Sequence, residues 1–167
     1  MKIELVKNTR DTFSEFDNIL FAFSEKQLNT VPFKDSWTAG QVAEHMINAL
    51  AGLPRLMGGP AEISGRNPGE KIKAIEDLFL DFNIKMQSPD FILPSAGPHQ
   101  KESLLHSVEG SKKAMLEALE IDLSLCCNGA ELPGFGKLTR LEWVHFFLAH
   151  TQRHTQQLKN IFQTFKK

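Results

Sequence analysis

Long apolar runs and an excess of charge of either sign are both missing from this chain of 167 residues. Its best apolar run, residues 19–23, is far shorter than the roughly 18 residues that a transmembrane helix needs. The 19 Lys and Arg residues balance 20 Asp and Glu residues, which leaves a net charge of −1. Without a basic stripe or a polybasic tail, the chain is predicted to bind neither nucleic acid nor a membrane.

Cysteine is scarce as well, and the only two cysteines, Cys126 and Cys127, are adjacent in the sequence. Neighbouring cysteines cannot join distant parts of a fold, so we expect free thiols at a loop edge in a reduced, cytoplasmic protein. Residues 1–10 agree with this expectation, because Glu4 and Lys7 interrupt the continuous apolar segment that a signal peptide requires.

Helical periodicity dominates the chain, and no segment alternates convincingly with the period of two that is typical of a strand. The length and the absence of internal repeats predict a single domain over residues 1–167. Apolar residues at helical spacing predict helices over residues 9–30, 38–57, 70–86, 101–121 and 139–164. The predicted fold is therefore all-α: a four-helix bundle with residues 70–86 as an additional short helix, followed by a proline-rich crossover.

Two of these helices begin with a capping box, in which a threonine and a Gln or Glu three residues later satisfy each other's backbone N–H groups. Thr38 and Gln41 predict the start of the second helix. Thr139 and Glu142 predict the start of the last one. These starts indicate which residues share a face in the two helices that carry the candidate site.

Three of the six histidines lie on helix faces that are predicted to point inward. His150 and His154 are four residues apart on the apolar stripe of the last helix, so both rings can reach one ion. His45 lies on the flank of the inward face of the second helix. Three imidazoles with open positions beside them predict a divalent metal site that water or a substrate can enter. The alternative is that these histidines only form hydrogen bonds in the core.

Four further residues are predicted to surround this site, either as hydrogen-bond partners of the ligands or as contacts to a substrate. Gln41 and Asn48 share a helical stripe with His45, at the i−4 and i+3 positions. Trp143 and Phe147 lie on the apolar stripe of the last helix. We expect all four to shape the pocket.

The remaining histidines, His99, His106 and His145, are predicted to be surface residues. No general base is evident near the three inward histidines. Glu44 neighbours His45, but adjacent residues on a helix point about 100° apart, so its carboxylate is expected to face elsewhere. Glu142 is expected to be used in the capping box.

Two segments carry a resemblance to a known family. The segments Ser36–His45, with its tryptophan, and Gly136–Leu158, with its H-x-x-x-H pair, resemble the signature of the DinB/YfiT-like superfamily. The resemblance implies a four-helix bundle in which His45, His150 and His154 coordinate a divalent metal, commonly nickel or zinc. It also implies a homodimer and a metal-dependent reaction on a small-molecule substrate, either hydrolysis or S-transfer of a low-molecular-weight thiol such as bacillithiol or mycothiol.

Two other kinds of function remain open alongside this metal-dependent enzyme. The first is a non-catalytic binding module in which the metal is structural or is sensed. The second is a metal-free interaction bundle whose inward histidines bond only to neighbouring polar groups. Stoichiometric metal and turnover of a substrate would distinguish the three.

Overall fold

Residues 2–166 are described by the computed structural model, and most of them are helical. In chain order the elements are α1 (Lys2–Ala22), α2 (Glu25–Leu28), α3 (Ala39–Ala51), α4 (Leu53–Gly58), β1 (Ala61–Ile63), α5 (Ile72–Phe79), a 3₁₀ turn (Asp90–Ile92), α6 (Lys101–Ala118), β2 (Leu125–Cys127) and α7 (Arg140–Thr164). Helices α1 and α3 each pack against both α6 and α7, which closes a four-helix bundle. The predicted all-α fold is confirmed.

The core of the bundle is one cluster to which each long helix contributes an apolar stripe. Its fully buried members include Phe13, Phe16, Leu20, Val42, Met46, Val108, Met115 and Leu158. Burying one such side chain stabilises a fold by about 1.5–3 kcal/mol, so this shared cluster holds α3 against α7. Within residues 2–166 no helix combines the length and the apolar character needed to cross a membrane.

The first predicted helix, residues 9–30, differs from the structure at both ends. Helix α1 begins at Lys2 and ends at Ala22. A third capping box, formed by Ser24 and Gln27, then starts the separate helix α2. Gln27 N donates to Ser24 Oγ at 3.2 Å, and Ser24 N donates to Gln27 Oε1 at 2.9 Å. The apolar periodicity continues through this break, which is why it did not show in the sequence pattern.

The additional helix is shorter than residues 70–86, because α5 ends at Phe79. A turn follows in which Asp81 Oδ1 accepts a hydrogen bond from Asn83 N at 3.0 Å. Phe82, which lies within the predicted helix range, is consequently outside α5 and 50% exposed. The helix predicted over residues 101–121 is also shorter in the structure, since α6 ends at Ala118.

Two short strands, which the sequence pattern did not predict, pair antiparallel with Ala61 opposite Cys127. Three residues in each strand are too few to show a reliable alternation. The pairing buries the free thiols of Cys126 and Cys127 inside the fold, so the expected loop edge is wrong for both. Burial raises the pKa of the Cys127 thiol, which favours the unreactive protonated form.

Gly40 of α3 and Gly110 of α6 offer a matched pair of helix glycines. A Cβ on Gly40 would lie 2.8 Å from His99 Nδ1, whereas a Cβ on Gly110 would meet no described atom within 4 Å beyond its chain neighbours and the backbone of its own helix. We expect Gly40→Ala to lower the free energy of unfolding by about 1–3 kcal/mol through overpacking. Gly110→Ala should raise it by about 0.5–1 kcal/mol through helix propensity. Urea denaturation measures both, and changes of the same sign would contradict this prediction.

Candidate metal centre

The side-by-side packing of α3 and α7 brings His45 against His150 and His154. The ring centroids are 5.3 Å apart for His45 and His150, 4.7 Å for His45 and His154, and 4.4 Å for the pair on α7. One nitrogen of each ring lies within 4.8 Å of the others. The residues are 2%, 7% and 8% exposed, respectively. These three buried histidines could hold a metal ion.

The predicted capping boxes fix where the two helices that carry the clustered histidines begin. Thr38 Oγ1 accepts from Gln41 N at 3.1 Å, and Gln41 Oε1 accepts from Thr38 N at 3.0 Å. Thr139 and Glu142 make the same reciprocal pair at 3.1 and 2.9 Å. Both predicted starts are therefore confirmed, and each sets which face of its helix points to the bundle interior.

Hydrogen bonds to oxygen fix the tautomer of two of the rings. Because a carbonyl oxygen only accepts, His45 Nδ1 donates to Ile92 O at 3.0 Å. His154 Nδ1 likewise donates to Gln157 Oε1 at 2.8 Å. In a neutral imidazole the other nitrogen then carries a lone pair, so both Nε2 atoms are free to bind an ion. Metal-binding histidines in proteins show this arrangement, with the second ring N–H held by an oxygen.

The third ring meets that of His154, since His150 Nε2 lies 3.1 Å from His154 Nε2, within hydrogen-bond distance. Two nitrogens bound tetrahedrally to one ion at about 2.0–2.1 Å stand ~3.3 Å apart. The observed separation is close to that value. The donor set is three imidazole nitrogens, which suits zinc, nickel and other first-row divalent ions.

A family comparison agrees with this geometry. The family model described as DinB superfamily matches residues 6–158. The chain belongs to the DinB superfamily. The matched region extends from α1 into the last turns of α7 and includes all three histidines of the cluster. No curated protein and no solved structure matches the chain.

Burial keeps the three rings of this DinB-superfamily site neutral. It lowers the pKa of His154 to about 3. It also lowers the pKa of His150 well below its ordinary value, and the neighbouring histidines and Arg153 lower that pKa further. Burial lowers the pKa of His45 too, although the hydrogen bond to a backbone carbonyl works against it. Neutral imidazole is the form that binds metal, so no proton has to leave at neutral pH.

These pKa values predict that the metal-free protein loses stability in mild acid. An unfolded histidine binds a proton near pH 6.5, whereas His154 in the folded state does so only near pH 3. Between these values the unfolded state holds more protons, so the free energy of unfolding falls by about 1.4 kcal/mol per pH unit per histidine. Urea denaturation from pH 7 to pH 5 measures this slope. We expect His154→Gln to reduce it and His106→Gln, at an exposed position, to leave it unchanged; equal slopes would contradict the prediction.

Aromatic rings line the cluster at positions that the sequence did not assign to the site. The ring of Trp37 lies 5.1 Å from that of His45, centroid to centroid. Phe146 and Phe79 lie 5.7 and 6.3 Å from His150. Phe146 precedes a predicted site residue by one position, but Phe79 reaches the site only because α5 packs on α7. Together the three rings form apolar walls beside the histidines.

Two of the predicted surrounding residues, Trp143 and Phe147, lie one layer farther from the cluster. Their rings stack on each other with centroids 5.7 Å apart. Both also contact Phe146, at 5.5 and 5.1 Å, and that ring contacts His150. The two residues thus support the aromatic wall from behind, and a contact to substrate stays a prediction.

Gln41 and Asn48 bond to the crossover that follows α5 rather than to a histidine. Gln41 Nε2 donates to Ser95 O at 3.1 Å, and Asn48 Nδ2 donates to Leu93 O at 3.4 Å. The carbonyl that accepts from His45 belongs to the same stretch of chain. Their influence on the site therefore passes through the crossover, and a direct role stays a prediction.

The three histidines expected at the surface have different surroundings. His106 is exposed as predicted. His145 is half-buried, and its Nδ1 donates to Glu76 Oε1 at 2.8 Å. The prediction is wrong for His99, whose side chain is 7% exposed. Its Nε2 donates to Glu44 Oε2 at 2.8 Å, a contact between distant segments that no local pattern indicates.

The two acidic residues closest to the cluster in sequence both form hydrogen bonds with groups outside it. Glu44 accepts hydrogen bonds from Ser95 and His99. Glu142 completes its capping box and also accepts from Arg66. Within residues 2–166 no carboxylate forms a hydrogen bond with a histidine of the cluster.

Proposed function

We propose that this DinB-superfamily protein is a metal-dependent enzyme that acts on a small molecule. The ion, zinc or nickel, would be held by His45, His150 and His154. The observation that carries the proposal is the arrangement of the rings: oxygen partners occupy the Nδ1 atoms of His45 and His154, and one nitrogen of each of the three rings lies within 4.8 Å of the others. Membership of the superfamily supports the same assignment.

A divalent ion in this position would acidify water or a thiol and so supply a nucleophile at neutral pH. The three imidazoles are neutral ligands and leave the ion's charge uncompensated. The absence of a carboxylate base among the bonded neighbours in residues 2–166 favours S-transfer of a low-molecular-weight thiol over hydrolysis. A thiol ionises far more readily than water and does not need that base.

The aromatic side chains beside the histidines indicate which kind of substrate the site would accept. Trp37, Phe79 and Phe146 surround the histidines with apolar surface that excludes water and orients an organic group. Arg153 is the nearby cation, but its guanidinium donates to the backbone carbonyls of Phe79 and Asp81. We expect an electrophile with an apolar or aromatic portion to be accepted best.

Elemental analysis of untagged protein, purified without chelator, tests the proposal first. We expect about one zinc or nickel ion per chain. The loaded protein should then accelerate the conjugation of a low-molecular-weight thiol to an aromatic electrophile, and chelation should remove that activity. No metal, together with no rise in melting temperature on adding zinc or nickel, would overturn the assignment.

A non-catalytic metal site is the second candidate, and the burial of the ligands favours it. Residues that are only 2–8% exposed leave little ligand surface for a substrate to reach. Bound metal, a large fall in melting temperature in His154→Ala and no turnover with any thiol or ester would select this candidate. Turnover that depends on the metal would exclude it.

The homodimer implied by the family resemblance remains a proposal. Phe21 and Ile3 of α1 are 66% and 88% exposed, so apolar surface is available on one outer helix for such a contact. Light scattering that gave a mass near 18.8 kDa would count against a dimer.

A further inference from the structure

One face of α3 holds the crossover, defined here as residues 89–99, against the bundle. Gln41, His45 and Asn48 donate to carbonyls of the crossover, as described above. Glu44 makes the reverse contact, since its Oε2 accepts from Ser95 N at 2.6 Å. Positions 41, 44, 45 and 48 follow i, i+3, i+4 and i+7 spacing, so they form one stripe of the helix. The backbone beside His45 is therefore attached at several points.

The carboxylate of Glu44 is the centre of these attachments. Its Oε2 also accepts from Ser95 Oγ at 2.9 Å and from His99 Nε2 at 2.8 Å. Three donors therefore meet at one carboxylate oxygen, and hydrogen bonds to a carboxylate are roughly twice as strong as neutral ones.

His99 fixes the far end of the crossover. Its backbone N donates to Asn29 Oδ1 at 2.7 Å, and its carbonyl accepts from Asn29 Nδ2 at 2.8 Å. Its ring lies directly on Gly40, where no side chain intervenes. The donor that reaches Glu44 is consequently held both by its backbone and by its ring.

We infer that Glu44, Ser95 and His99 form a latch that keeps the Ile92 carbonyl at His45 and so leaves His45 Nε2 free for an ion. This inference rests on the proposed function, because it assigns positioning residues to the same site. Within the described chain Ile92 O is the only hydrogen-bond partner of the His45 ring. Without that acceptor the proton is no longer confined to Nδ1, and an Nε2–H tautomer cannot bind metal through Nε2.

The latch can be tested first in the metal-free protein. The ¹⁵N chemical shifts of the His45 ring report the tautomer directly. We expect one Nδ1–H tautomer in the wild type, a mixture in Glu44→Ala, and recovery in Glu44→Gln, which keeps an acceptor oxygen in place. Glu76→Ala is the matched control, because it removes the carboxylate of another Glu–His pair, also 2.8 Å long, and should leave His45 unchanged.

Zinc affinity, measured by competition with a chelator, supplies the second readout. Glu44→Ala should weaken zinc binding about tenfold, as loss of a group that orients a ligand typically does. Unchanged His45 shifts and unchanged affinity in folded Glu44→Ala would overturn the latch. If that variant does not fold, His99→Gln takes its place with the same expectations. A wild type that shows the fixed tautomer but binds no zinc would overturn the proposed function and leave the latch standing.

Discussion

Replacing His150 with alanine is expected to reduce the bound metal from about one ion per chain to nearly none. The ring of His150 lies together with the other two histidine rings, with its centroid 4.4 Å from that of His154 and 5.3 Å from that of His45. Its loss leaves two imidazoles on two different helices, which is too few protein ligands for a site that retains its ion. Elemental analysis of untagged wild type and variant, purified side by side, measures the difference.

His145→Ala is the matched control for this prediction. It removes a histidine from the same helix, but that ring bonds to Glu76 and not to the cluster. We expect His145→Ala to retain its metal and His154→Ala to lose it. Full metal content in His150→Ala, or equal loss in His145→Ala, would show that the ion is bound elsewhere.

The inward positions of the three histidines could be predicted from the sequence because the signals that place them on their helices are local. In α7 the cap formed by Thr139 and Glu142 and the i, i+4 spacing of His150 and His154 lie within one helix, and the predicted range 139–164 agrees with it. In α1 the same kind of reasoning was wrong at the C-terminal end, because the capping box of α2 lies inside a continuous apolar stripe. Periodicity identifies a buried face, but it does not show where the backbone breaks.

The hydrogen-bond partners of the clustered histidines were missed for two different physical reasons. Gln157 is three residues after His154 on the same helix, so its contact could have been inferred from spacing. The Ile92 carbonyl could not, because a backbone oxygen has no sequence signature and reaches His45 from 47 residues away. Phe79 belongs to this second class, since it depends on how α5 packs against α7. Contacts between segments that are far apart in the chain cannot be predicted from local sequence patterns.

The same distinction explains Glu142, whose capping role was predicted and whose ion pair was not. Its side chain is fully buried and accepts from Arg66 Nη1 and Nη2 at 2.6 and 2.7 Å. Further donors are Thr139 N and Lys71 N, both at 2.9 Å. Burial would raise the pKa of this carboxyl, but these hydrogen bonds outweigh it and lower the pKa. The carboxylate therefore joins the start of α7 to the segment that leads into α5.

Glu142→Ala is expected to lower the free energy of unfolding by about 3–5 kcal/mol. The variant removes a buried charge and leaves Arg66, whose side chain is only 21% exposed, without its partner. It also leaves two backbone N–H groups without an acceptor. Urea denaturation of wild type and variant measures the change.

The surface pair of Lys73 and Asp77 provides the comparison for this prediction. Its N–O distance is also 2.6 Å, but the two side chains are 85% and 64% exposed, so Asp77→Ala should change stability by no more than about 0.5 kcal/mol. The cost in Glu142→Ala comes largely from the unpaired partner. The double variant Arg66→Ala/Glu142→Ala should therefore cost less than the sum of its single variants. Strict additivity would mean that the pair is not coupled, and that the cap alone accounts for the effect of Glu142.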